Sequence, residues 1–102
     1  MEAKGASGTV TVSDSAITIT RPWFLGPKGA ALTVRLSDVT AINYRPPGFM
    51  ENGYIQFIYP GAKPKRSILK FLEFDPDTVL FEKRHEPAFI ALHEALRARL
   101  GL

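Results

Sequence analysis

At 102 residues the chain has the size of one compact domain, and its 45% apolar content belongs to a folded domain rather than a disordered tail. The absence of cysteine excludes a disulfide framework, an iron–sulfur cluster and any thiolate metal site. A net charge of +3 is mild: it permits an acidic partner without demanding one, and it is too small and too scattered for a dedicated nucleic-acid domain.

Met1 to Gly8 is small and polar, lacks the apolar stretch of a secretory signal, and reads as a flexible leader to a single domain over 9–102. No apolar run approaches the roughly 20 residues needed to cross a bilayer as a helix, so a soluble, cytoplasmic protein is expected. Period-two alternation then begins. Val10 and Val12 alternate with threonines, Ser13-Asp14-Ser15 makes a turn, and Ile17 and Ile19 share a face of the run Ala16 to Arg21. β-branched residues at this period, divided by a short polar turn, predict a hairpin.

The stretch Arg21-Pro22-Trp23-Phe24-Leu25-Gly26-Pro27-Lys28-Gly29 is too rich in proline and glycine for an ordinary central strand. Leu32, Val34 and Leu36 predict a third strand, Ser37-Asp38 a turn, and Val39 to Arg45 a fourth strand stopped by Pro46-Pro47-Gly48. A loop through Phe49 and Met50 reaches Asn52-Gly53, a dipeptide whose members tolerate positive φ and so favour a turn. Tyr54 to Tyr59, Ser67 to Phe74 and Thr78 to Glu82 complete about seven strands. The period then becomes helical: Phe89, Leu92, His93, Leu96 and Leu100 recur on one stripe, Pro87 suits the first turn, Arg97 and Arg99 complement the dipole, and Gly101 is placed to end the helix.

Seven antiparallel strands at close spacing predict a bent, partly open barrel, and the helix that follows them must bury its stripe on the barrel's open end. This order resembles the pleckstrin-homology-like (PH-like) fold. The run Gly48-Phe49-Met50-Glu51-Asn52-Gly53-Tyr54-Ile55-Gln56-Phe57 resembles the central signature of a bacterial PH-like family of unknown function. Val79 to Arg84, followed by Pro87-Ala88-Phe89 and the helix, is similar to that family's close, and the resemblance extends over about residues 8 to 100 through Thr9–Arg21, Leu32–Leu36 and Val39–Arg45. It implies a cytoplasmic binding or assembly module with no catalytic residues to carry over. Members often occur in tandem or beside a short helical oligomerisation motif, and neither is read in residues 1–102.

No constellation of catalytic side chains stands out, so no enzyme activity and no cofactor are expected. His93 falls on the apolar stripe and reads as a boundary residue; His85 lies before Pro87, where it helps to cap the helix; their spacing matches no zinc motif. Asp75 and Asp77 flank Pro76 as turn residues and lack the ligand pattern of an EF-hand loop.

Two surfaces are candidates for binding. Trp23, Phe24 and Leu25 in their Pro/Gly frame, with Phe49 and Met50 in the second apolar loop, suit a protein partner, self-association into a homo-oligomer or a shallow membrane contact. Lys63, Lys65, Arg66 and Lys70 offer an alternative: a basic loop able to hold nucleic acid or acidic lipid headgroups. Lipid-binding PH domains place their basic motif in the first hairpin loop, which here is the acidic Ser13-Asp14-Ser15. The leading expectation is a non-catalytic PH-like protein-interaction module.

Overall fold

The computed structural model describes residues 1–21, 31–61 and 76–102. Ser67 to Phe74, expected as a strand, lies outside them. The described residues form strands β1 (Glu2–Lys4), β2 (Thr9–Val12), β3 (Ala16–Thr20), β4 (Ala31–Arg35), β5 (Ala41–Arg45), β6 (Gly53–Ile58) and β7 (Thr78–Phe81), followed by helix α1 (Glu86–Leu100).

The period-two runs fold as their patterning requires. Val10 pairs with Ile19 and Val12 with Ile17, so these four side chains share the buried face of sheet β1-β2-β3-β4. The threonines between them take the other face, where Thr18 and Thr33 hydroxyls meet at 3.3 Å. The second sheet, β5-β6-β7, turns Ile55, Phe57, Val79 and Phe81 inward, and Phe89, Leu92 and Leu96 of α1 close the core above them. Pro87 occupies the first turn of α1, and Gly101 ends it with φ 69° in the left-handed region.

Three expectations need correction. Residues 1–8 are not a free leader: β1 pairs antiparallel with β2, packs beneath α1, and buries Ala3 to 1% exposure. A single small apolar residue between Glu2 and Lys4 is too short a signal to read as alternation, yet it lets the helix come close. Secondly, among the described residues the strands form two separate antiparallel sheets rather than the one bent, partly open barrel expected. After Arg35 the chain enters a 3₁₀ turn, Leu36–Asp38, that drives Leu36 into the core and carries the chain from one sheet to the other.

A hydrogen-bonded seam joins the sheets instead. Ala6 N–H donates to Leu80 O at 2.8 Å, and Leu80 N–H donates to Ser7 Oγ at 2.8 Å. Arg21 reaches from the end of β3 to Ser7 O at 3.3 Å and Thr78 O at 2.7 Å. Within the second sheet, Asn43 donates to Gln56 at 2.9 Å and Gln56 donates to Thr78 at 2.9 Å. Asp77, a turn residue as expected, is only 1% exposed and accepts the Tyr59 hydroxyl.

The third correction concerns Asn52-Gly53. Neither residue has positive φ, and Gly53 is the first residue of β6. The reversal lies earlier, where Gly48 N–H donates to Glu51 O at 3.0 Å. Gly53 is required by contact: a Cβ there would stand 2.5 Å from Arg45 O, 2.8 Å from Pro47 N and 2.9 Å from the Phe81 ring. Two of those neighbours are backbone, which cannot swing aside. Gly53→Ala is expected to destabilise the fold by about 1–3 kcal/mol, the usual cost of overpacking. Urea unfolding measures it; an unchanged midpoint would show that the hairpin yields freely.

Candidate functional site

The β5–β6 hairpin carries the most exposed large apolar side chains among the described residues, Phe49 at 101% and Met50 at 87%. They occupy its apex, and the hairpin beneath them is braced. Pro46 and Pro47 fix the backbone entering the tip. Arg45 then ties the base together: its NH2 donates to Asn52 O at 3.0 Å, lies 3.6 Å from Glu51 Oε2, and its guanidinium sits 5.1 Å from the Tyr54 ring centre. The bracing holds two apolar side chains in water, where each forgoes about 1.5–3 kcal/mol of burial energy.

Behind this hairpin a ladder of rings fixes α1 against the second sheet. Phe89 stacks on Phe81 at 4.3 Å, Phe81 on Tyr44 at 5.8 Å, and Tyr44 on His93 at 4.4 Å. The Tyr44 hydroxyl is buried without a hydrogen-bond partner; that burial, and then the Glu86 carboxylate, raise its pKa above the ordinary phenol value. A groove of about 420 Å³ opens beside the ladder, between β5 and the C-terminal half of α1, lined by Thr40, Ala41, Ile42, Tyr44, His93 and Arg97, with Leu102 at its end.

The two histidines have separate structural roles. His85 does not cap α1 with its side chain; its Nδ1 accepts Glu82 N–H at 3.0 Å in a reciprocal capping box around the 3₁₀ turn Lys83–His85. His93 is half-buried and lines the groove. Arg99 also departs from a simple dipole role, donating to Ser13 O at 3.1 Å and Asp14 O at 2.7 Å and so pinning the first hairpin turn to the helix.

Of the binding residues expected from sequence, Phe49 and Met50 are placed together at one tip. Trp23, Phe24 and Leu25 lie outside the described residues, as do Lys63, Lys65, Arg66 and Lys70. The groove was not legible in the sequence, because its two walls are separated by some fifty residues and meet in the Tyr44–His93 stack. A weak signal existed: a histidine on an otherwise apolar stripe, where a ring can stack and a polar edge can face water.

Burial, and then the charge of Arg97, lower the His93 pKa below its ordinary 6.5, with Glu94 acting in the opposite sense. The unfolded chain therefore takes up a proton near pH 6.5 that the folded chain resists. Stability associated with neutral His93 is complete above that pH and is lost as pH falls towards the lowered folded value. His93→Phe keeps the ring stack and removes the titration, so it should lose less stability on acidification through this interval. Urea denaturation across the pH range tests this; equal slopes for the two proteins would refute it.

No helix among the described residues is long and apolar enough to cross a membrane. No curated protein and no solved structure matches the chain significantly. A family model does match, over residues 10–97, which takes in the hairpin tip and the residues lining the groove up to Arg97, and the chain therefore belongs to the family described as Domain of unknown function (DUF4429).

Proposed function

We propose that this chain is a non-catalytic, cytoplasmic, PH-like interaction module that engages a protein partner or a second copy of itself through the tip of the β5–β6 hairpin. The observation that carries this reading is the pair Phe49 and Met50, held at 101% and 87% exposure on a braced turn. A mobile loop would lose conformational entropy on docking; a hairpin tied by Arg45 and two prolines has met much of that cost in folding. Burial of both side chains would contribute about 3–6 kcal/mol, enough for the centre of a specific contact. The element order supports the PH-like part of the reading: among the described residues, an antiparallel four-stranded sheet, an antiparallel three-stranded sheet, and one helix after the strands.

The test is sedimentation of the wild type and of Phe49→Ala/Met50→Ala over a range of concentrations, together with capture experiments on the immobilised chain. The double variant removes side chains that touch solvent, so its unfolding midpoint should stay close to that of the wild type. Self-association, or retention of the captured protein, should be lost. Indistinguishable behaviour of the two proteins in both assays would rule out the tip as the contact.

A further inference from the structure

The residues that close the β5–β6 hairpin, Arg45 to Tyr54, carry one cation and one anion, Arg45 and Glu51. The two stand 3.6 Å apart, and Arg45 is held further by Asn52 O at 3.0 Å. The apolar tip therefore rises from a base with no net charge. A lipid headgroup, or a strongly acidic or basic protein, is drawn by an excess of one sign. These ten residues carry no such excess.

The chemistry of the hairpin is instead complementary to itself. In a contact between two copies related by a two-fold axis, each residue that meets a second must also be met by it across the axis. Phe49 and Met50 are neighbours in the chain and both stand open to solvent. An aromatic ring and a thioether are favourable partners, so this pair meets the condition. Arg45 and the more exposed Glu51 meet it with opposite charges, in the place where interfaces carry a polar rim.

We propose that two copies of this chain meet tip to tip about a two-fold axis, with Phe49 of each against Met50 of the other and the Arg45–Glu51 pairs at the rim. The inference rests on the reading of the tip as the contact surface and names its occupant. At about 150–250 Å² for each large side chain, the four bury at most the roughly 1,000 Å² that a stable interface clears. The dimer is therefore a weak one, with a dissociation constant of about 10 µM to 1 mM.

Sedimentation of the wild type across that interval should show a reversible monomer–dimer equilibrium, and Phe49→Ala/Met50→Ala should abolish it. The chain has no cysteine, so one introduced thiol can carry a spin label. Gly48 suits it: the residue is exposed, its φ is not positive, and a Cβ there would meet nothing closer than Glu51 at 3.9 Å. Labels on two Gly48→Cys copies should lie closer than 24 Å, the shortest extent of one molecule, and closer than labels at Arg35→Cys on the other sheet. Glu51→Arg leaves each tip with two cations. It should weaken association about tenfold or more at low salt, with part of the loss restored as salt screens the repulsion. Glu51 is exposed, so the unfolding midpoint should hold. A wild type that stays monomeric throughout overturns the inference; if the tip then holds a different protein, in a manner lost in Phe49→Ala/Met50→Ala, the reading of the tip as a contact stands without it. A dimer that survives the double variant, Gly48 labels beyond 24 Å, or undiminished association of Glu51→Arg would each place the contact elsewhere and overturn it as well.

Discussion

The ring of Phe81 is the contact on which the second half of the structure depends. One face meets Phe89 of α1 at 4.3 Å, Tyr44 of β5 stacks at 5.8 Å, and the ring edge lies where a Cβ of Gly53 would stand. One side chain thereby sets the distance of the helix from the sheet, the position of β5 beneath the helix, and the approach of the β5–β6 hairpin. Aromatic pairs contribute about 0.5–1.5 kcal/mol beyond their buried area, but their greater effect here is geometric. Stacked rings resist both sliding and tilting, so α1 is held in one orientation.

The hairpin tip and the groove both inherit that rigidity. The tip bearing Phe49 and Met50 projects beyond the Arg45 end of β5, and the groove runs along the strand from Thr40 to Tyr44, which passes the stack on to His93. The brace at Arg45 is local, yet it works because Gly53 admits β6 close against the Arg45 and Pro47 backbone. A side chain at position 53 would part the strands at the hairpin base. Tip and groove are thus two outputs of one packed unit rather than two loops attached to a scaffold.

The first sheet contributes differently. It is joined to the second by hydrogen bonds through Ala6, Ser7, Arg21, Thr78 and Leu80 rather than by a continuous ladder of strands. Buried polar groups must be paired to be tolerated, so these bonds both satisfy the seam and fix its register. The segment 5–8 that makes them is short and small, which is why β1 can tuck beneath α1 and leave Ala3 with almost no exposure.

How far the sequence reaches follows from the range of the forces involved. Alternating Val10, Val12, Ile17 and Ile19 determined a hairpin with one buried face, and the stripe Phe89, Leu92, Leu96 determined a buried helix, because hydrophobic periodicity is a local property of the chain. Pro87 and Gly101 marked the helix ends for equally local reasons. The exposure of Phe49 and Met50 was foreshadowed by their place between Gly48 and Asn52. Tertiary structure alone decided the rest. It turned the chain after Arg35 into a second sheet, drew residues 2–4 in as a strand, and gave Gly53 a packing role in place of a turn role. It also brought His93 onto Tyr44 across some fifty residues of chain, and so made the groove. The stack and the groove depend on which distant surfaces meet, and no short window along the sequence contains both partners.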